Sequence, residues 1–184
     1  MILTGPEIHA QVEAGQITID PFDSNLLNPN SYNYRLGRTL KQVISSPADP
    51  TRPAETAVID LPKEGYLLRP GVVYLGATME TIGGDQYVTR LIGRSSLGRL
   101  GMFLQISADL GNLGSAHQWT LEITVVQRLR VYPQMRVGQV SFWKPVGARK
   151  PYGGLYGGIS EPTACSPRAA AGLGAALIRQ EAAA

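Results

Sequence analysis

From Ala57 to Trp143 the chain runs as a train of short segments rich in Val, Ile, Tyr and Thr. They fall at 57–60, 66–68, 72–77, 86–92, 102–107, 119–126 and 137–143, each cut from the next by Gly, Pro, Asn or Asp. Runs this short cannot bury the face of a helix. No amphipathic segments alternate with them, so a parallel βαβ arrangement is excluded. The cadence predicts an all-β sandwich or barrel. No internal repeat period is present. The 184 residues suit one domain with a real core, and 43% apolar against 17% charged residues marks a globular chain.

The N-terminal "LTGPEIHAQVEAGQ" is the one clear helix signal before the β-rich region. Thr4 and Glu7 have capping-box spacing, Pro6 stands in the first turn, and Gly15 closes the end. Ile8 and Val12, four apart, face the core. Residues 45–56 (SSPADPTRPAET) read as a polar, Pro-rich loop, and "PYGGLYGGIS" as a mobile Gly-rich one. The stretch "RAAAGLGAALIRQEAAA" reads as a terminal helix or a tail, weakened as a helix by Gly172 and Gly174. The expected division is a β domain over 1–160 and a tail or closing segment over 161–184.

Charge narrows the partners. The net charge of +3, from 17 basic and 14 acidic residues, comes with no basic stripe. That argues against a nucleic-acid polymer and allows an anionic small molecule. No apolar run approaches the roughly 18 residues of a membrane span. "MILTGPEIHA" lacks the regions of a signal peptide, so a cytoplasmic location is expected. Cys165 is the single cysteine and reads as inert, which rules out an intrachain disulfide. With it stand only His9 and His117, too few for a Cys/His zinc site.

Two motifs carry chemistry. "GRSSLGRLG" at 93–101 follows a strand-like run, and there backbone N–H groups, hydroxyls and guanidinium forks can converge on phosphate oxygens. A structural turn is the competing reading. In "WTLEITVV" at 119–126, alternation puts Trp119, Leu121, Ile123 and Val125 on one face and Thr120, Glu122 and Thr124 on the other. Glu122 is then either a solvent-facing partner for an arginine or a carboxylate in a cleft, tuned for proton transfer.

"GRSSLGRLG", "ISA" at 106–108 and "TLEI" at 120–123 together resemble the dCTP deaminase family of the dUTPase-like superfamily. "ITIDPF" at 17–22, "LNPNSYNYRLG" at 27–37 and "RVGQVSFWKP" at 136–145 extend the resemblance over about 1–160. It implies a mainly β fold, a distorted barrel or jelly roll with a short N-terminal helix. It also implies a homotrimer with sites between subunits and zinc-independent hydrolytic deamination of a cytosine deoxynucleotide, dCTP by default. By position, Glu122 is the general base and acid, Ser95 orients the water, and the Ala108 carbonyl holds it. Arg99 steadies the Glu122 charge, and Arg94 and Ser96 meet phosphates. Gln105, Asn112, Tyr152 and Tyr156 complete the substrate-binding set. Mg²⁺ enters only on the substrate triphosphate.

The chain departs from the family pattern at several positions. Asn112 replaces an acid that meets the sugar 3′-hydroxyl, and an amide keeps the hydrogen bond but cannot act as a base. Leu110 replaces a phosphate-binding arginine, and Gln105 a histidine of some members. Leu155 and Ile159 replace a lysine and a glutamine, and Asn33 replaces an aspartate. Two other readings stay open: a dUTPase-like diphosphatase, and a nucleotide-binding paralogue altered in catalysis.

Overall fold

The computed structural model describes residues 1–166. The Ala-rich stretch from Arg168 onward, read above as a helix or tail, lies outside them. Helix α1 spans Gly5–Glu13. It ends where Gly15 turns to φ +69°. There the N–H of Gln16 meets the Gln11 carbonyl and that of Gly15 the Val12 carbonyl, a glycine-terminated C-cap. The start differs from the expected capping box. The Thr4 side chain makes no capping bond. Pro6 occupies a position whose N–H such a cap would take, and Gly5 N–H is already held by the Pro29 carbonyl at 2.8 Å. Glu7 accepts from Gln11 Nε2 instead, at 2.9 Å.

Fourteen strands follow, in chain order β1 Thr18–Asp20, β2 Leu27–Asn28, β3 Ser31–Arg35, β4 Thr39–Val43, β5 Thr56–Asp60, β6 Tyr66–Leu68, β7 Tyr74–Ala77, β8 Thr81–Gly83, β9 Val88–Gly93, β10 Met102–Leu104, β11 Ala116–His117, β12 Thr120–Val125, β13 Leu129–Val131 and β14 Arg136–Trp143. A four-residue helix, α2 Ser95–Gly98, sits between β9 and β10, and one turn of 3₁₀ helix at Ser24–Leu26 precedes β2. All strand pairs are antiparallel. The mainly β expectation with a short N-terminal helix holds. Hydrogen bonding divides the strands into four sheets rather than one closed ring: β1-β8-β11, β10-β12-β7-β4-β5, β13-β6 and β2-β3-β14-β9.

The sheets share one core, in which Ile8, Tyr32, Tyr34, Leu36, Leu40, Leu121, Ile123, Val140 and Phe142 are sealed from solvent. The run expected to continue to 107 stops at Leu104, because Gln105 turns to φ +52° and leaves the ladder. Below the core, Glu80 is wholly buried and accepts from the backbone N–H of Arg35 at 2.9 Å and from its Nε at 2.6 Å.

Tyr34 crosses the centre of the four-stranded sheet. Its hydroxyl donates to the Ile92 carbonyl at 3.0 Å, and burial pushes its phenol far above the usual range. The ring lies over Gly138, at the bulge where β14 shifts register between Arg136 and Gly138. A Cβ at 138 would land inside the ring. Gly138→Ala is therefore expected to cost about 1–3 kcal/mol in denaturant unfolding. Gly158→Ala, where a Cβ meets nothing within 4 Å, is expected to stay within about 0.5 kcal/mol.

Candidate active site

Strand β12 obeys its alternation. Leu121, Ile123 and Val125 are buried, while Glu122 points the other way, onto the wall of a cavity of about 900 Å³. The five-stranded sheet supplies the floor through Val43, Leu75, Thr120, Glu122 and Thr124, with Val73 just ahead of β7. The Pro-rich loop contributes Asp49, Pro50 and Arg52; the stretch 105–117 contributes Gln105, Ile106, Ala108, Leu110, Asn112, Ser115 and His117. Residues from Tyr152 to Cys165 form the remaining wall.

Glu122 is held by a side chain where a ladder would use backbone. β10 ends at Leu104, opposite Ile123. One residue on, Gln105 gives its backbone N–H to the Glu122 carbonyl at 3.3 Å. Its side-chain Oε1 takes the Glu122 N–H at 2.8 Å, and its Nε2 donates to the Ala108 carbonyl at 3.2 Å. One buried amide therefore ties the Glu122 backbone to the Ala108 carbonyl.

The Gly-rich segment is tied down across the cavity. Tyr152 N–H donates to the Leu113 carbonyl at 2.8 Å, and Gln118 N–H to Ser160 Oγ at 3.4 Å. Thr120 Oγ1 donates to the Glu161 carbonyl at 3.3 Å and accepts from Thr163 N–H at 3.2 Å. Lys41 Nζ meets Glu161 at 3.1 Å, and Ser166 N–H meets the Tyr156 hydroxyl at 3.1 Å. Tyr152, Tyr156 and Ile159 line the cavity, whereas Leu155 is half-exposed outside it. Cys165 is exposed on the same wall.

Of the sequence-derived residues, Glu122, Gln105, Ala108, Asn112, Tyr152 and Tyr156 meet at this cavity. Arg94, Ser95, Ser96 and Arg99 are not on its wall. They open and close α2, which Gly101 joins to the far end of β12 by accepting from Val126 N–H at 2.9 Å. Glu122 lies four residues farther along the strand, about 13 Å away. Arg99 therefore makes no ion pair with Glu122 within one chain, and Ser95 and Ser96 are exposed.

Arg94 is held in place. Its Nη1 donates to Asn33 Oδ1 at 2.6 Å. The buried Asn33 amide is oriented by donating to the Leu26 carbonyl and Asn28 Oδ1, each at 3.0 Å. Burial, followed by the nearby charge of Arg136, lowers the Arg94 pKa. Arg52 faces Asp49 at 3.5 Å, and Thr51 holds that carboxyl below its usual range through its hydroxyl and N–H. Among the described residues no group of three or more His, Cys, Asp or Glu stands ready for a metal ion, and no helix is long and apolar enough to cross a membrane. Sequence reasoning missed His117, Trp119 and Thr120 as cavity residues. Thr120 was within reach, because alternation already put it on the Glu122 face.

A family model described as dCTP deaminase-like matches residues 2–145. The chain is 45% identical over 142 residues to "dCTP deaminase, dUMP-forming" of Leptospira biflexa, covering 77% of this chain and 81% of the relative. It is 43% identical over 142 residues to the protein of that name from Clostridium beijerinckii, covering 77% and 82%. To "dCTP deaminase" of Rhodopirellula baltica it is 41% identical over 150 residues, covering 80% and 74%. In fold it is similar to a solved 2′-deoxycytidine 5′-triphosphate deaminase from Agrobacterium tumefaciens, with TM-score 0.62 and 23% identity. That match covers 77% of this chain and 46% of the solved one, so the chain spans under half of it.

Removing the Gln105 amide tests the lock on Glu122. Gln105→Met keeps the length of the side chain and leaves the Glu122 N–H and Ala108 carbonyl without their partner. Each such hydrogen bond contributes about 0.5–1.5 kcal/mol net. The variant is expected to unfold at lower denaturant and to exchange the Glu122 amide proton faster by hydrogen-exchange NMR.

Proposed function

The chain belongs to the dCTP deaminase-like family, and we propose that it is a hydrolase that deaminates a cytosine deoxynucleotide, with dCTP the default substrate. The observation that supports the reading is that Glu122 and Ala108 share one cavity wall, where Gln105 bonds the Glu122 backbone N–H and the Ala108 carbonyl. The roles below are assigned on that basis.

Water is a poor nucleophile at neutral pH. Glu122 takes its proton as the oxygen attacks C4, with the Ala108 carbonyl orienting the remaining O–H. The same carboxyl delivers that proton to N3, then takes the remaining hydroxyl proton of the tetrahedral intermediate and passes it to the amine, as the C4 carbonyl forms. The C4–N4 bond breaks, and ammonia and a uracil nucleotide leave. The chemistry runs without zinc. Mg²⁺ arrives as part of the substrate, bound to its phosphates.

The reading needs a second copy of the chain. Within one chain Arg94, Ser95, Ser96 and Arg99 stand clear of the Glu122 cavity around α2, with both serines and Arg99 exposed and Arg94 partly buried. In a homotrimer, α2 of one subunit faces the cavity of the next. Ser95 then contacts the water, Arg99 the Glu122 carboxylate, and Arg94 and Ser96 the phosphates. Asn112, Gln105, Tyr152 and Tyr156 surround base and sugar. Residues 1–160 act as the catalytic domain and 161–184 as its closing segment, in a cytoplasmic enzyme with no nucleic-acid or membrane partner.

A second step is favoured by the name "dUMP-forming" carried by relatives at 45% and 43% identity. It would release diphosphate after deamination. Asn112 bears on it, because an amide cannot take a proton from an attacking water. Asn112→Asp is expected to raise diphosphate release relative to ammonia, measured from dCTP by product chromatography. An unchanged ratio would remove Asn112 from that step.

Glu122→Gln keeps shape and hydrogen bonding but cannot accept a proton. Ammonia release from dCTP is expected to fall about 10²–10⁴-fold, with nucleotide binding by calorimetry little changed. If sites are shared, mixing inactive Glu122→Gln with inactive Arg99→Ala and allowing subunits to exchange should restore activity. Mixtures that stay inactive after exchange would place Arg99 outside the neighbouring site.

A further inference from the structure

Three arginines gather where β3, β14 and the start of α2 meet. Arg136 stands opposite Arg35 in the β3–β14 pair, and two residues farther along β14 Gly138 pairs with Gly93, the residue before Arg94. Their charges are met differently. The buried Glu80 takes the backbone N–H and the Nε of Arg35. Asp23, the other carboxylate whose charge acts on Arg35, accepts from the backbone N–H and the Nδ2 of Asn25. Among the described residues neither Arg94 nor Arg136 forms an ion pair.

The partner of Arg94 is a neutral amide. Its Nη1 donates to Asn33 Oδ1 at 2.6 Å. Asn33 is only 4% exposed, and its Nδ2 donates to the Leu26 carbonyl and to Asn28 Oδ1. A backbone carbonyl can only accept, so Oδ1 is the end that faces the guanidinium. Asn28 is held in turn. Its Nδ2 donates to Ser31 Oγ at 3.0 Å, and that hydroxyl donates to Gln139 Oε1 at 2.7 Å. A run of neutral side chains, from Gln139 on β14 to Asn33 on β3, thus aims one oxygen at Arg94 and brings no charge to it.

In the free protein this arrangement is unfavourable. Arg94 is partly desolvated and lies near the like charge of Arg136, and both effects disfavour its charged form. A carboxylate at position 33 would offset them from within. An anion arriving from outside would do the same, through charge-assisted hydrogen bonds. With an amide at 33, only the second route is open.

We propose that Asn33 is a positioning residue for phosphate recognition: it fixes the Arg94 guanidinium without neutralising it, so that Arg94 and Arg136 offer two uncompensated charges to the phosphate chain of the substrate. This rests on the deaminase reading above, which puts Arg94 at the phosphates. Asn33 touches no substrate and acts through Arg94. It sets affinity for the phosphate chain and leaves the chemistry at C4 alone.

Inorganic tripolyphosphate carries the phosphate chain without base or sugar, and its binding to the full chain is read by calorimetry. Asn33→Asp supplies a carboxylate at nearly the same size. It is expected to weaken tripolyphosphate binding about tenfold or more, and to raise KM for dCTP by a similar factor with kcat within about twofold. Asn33→Leu removes the acceptor but adds no charge, and is expected to cost less than Asn33→Asp. In an Arg94→Gln background Asn33→Asp is expected to add little, because the charge it cancels is already gone. Arg136 is exposed, so Arg136→Gln reads the second charge without disturbing the core, and a loss of about threefold or more is expected. Unchanged tripolyphosphate binding in Asn33→Asp would overturn the proposal. So would an equal loss in Asn33→Leu, the mark of a merely structural amide, or a full loss that persists without Arg94. If the buried carboxylate prevents folding, unchanged binding in Arg136→Gln overturns it alone. Wild type that releases no ammonia from dCTP would remove the deaminase reading, while the tripolyphosphate series would still decide the role of Asn33.

Discussion

Three side chains on one face of a six-residue strand decide where the chemistry goes. Leu121 and Ile123 are fully buried and Val125 nearly so. A strand has only two faces, so burying these three turns Thr120, Glu122 and Thr124 outward together. A slip of one residue would bury a carboxylate and expose the centre of the core. The outward set then carries the site: Glu122 on the cavity wall, and Thr120 as the post to which the segment around Glu161 and Thr163 is tied.

Charge is distributed against intuition for a nucleotide site. The cavity wall is largely apolar and neutral, and its one arginine already faces an aspartate. The arginines and serines of "GRSSLGRLG" gather outside, around a four-residue helix. Arg94 is held there by the neutral oxygen of Asn33, with Arg136 nearby. An amide fixes the guanidinium without cancelling its charge. The Asn33 NH₂ bonds to Leu26 and Asn28 determine which end of the amide faces Arg94.

How much of this could be read from the residues alone follows the same physics. Strands β12 and β14 were legible, because their apolar positions alternate or run long enough to mark themselves. Helix α1 was legible from Pro6, Ile8, Val12 and Gly15, although its Thr4 cap was not made. β3 escaped notice as a strand, since Ser-Tyr-Asn-Tyr-Arg shows no apolar alternation. Its polar members are satisfied by partners far along the chain, Gln139 for Ser31, Arg94 for Asn33 and Glu80 for Arg35. Two-residue strands such as β11 leave no period to detect, and His117 was hidden with it. Glu122 and Asn112 were legible as candidates through the family resemblance rather than through spacing alone, and the fold brings both to the cavity wall. That α2 stands apart from Glu122 in a single chain was not, because spacing along a sequence does not say which side of a sheet a loop returns to.

At Gln105 the sheet exchanges a backbone partner for a side-chain one. A backbone pair imposes the same separation at every rung, whatever residues stand there. A side-chain pair takes its separation from the residue chosen, so the backbone at Glu122 is held by an adjustable fitting on a rigid frame. Asn, Gln or Glu at 105 would set it at different heights or with a different charge behind it, while Leu121 and Ile123 kept the strand where it is. Changes in the reach of this catalyst can therefore arise one position away from the carboxylate's own strand, with no change to the carboxylate.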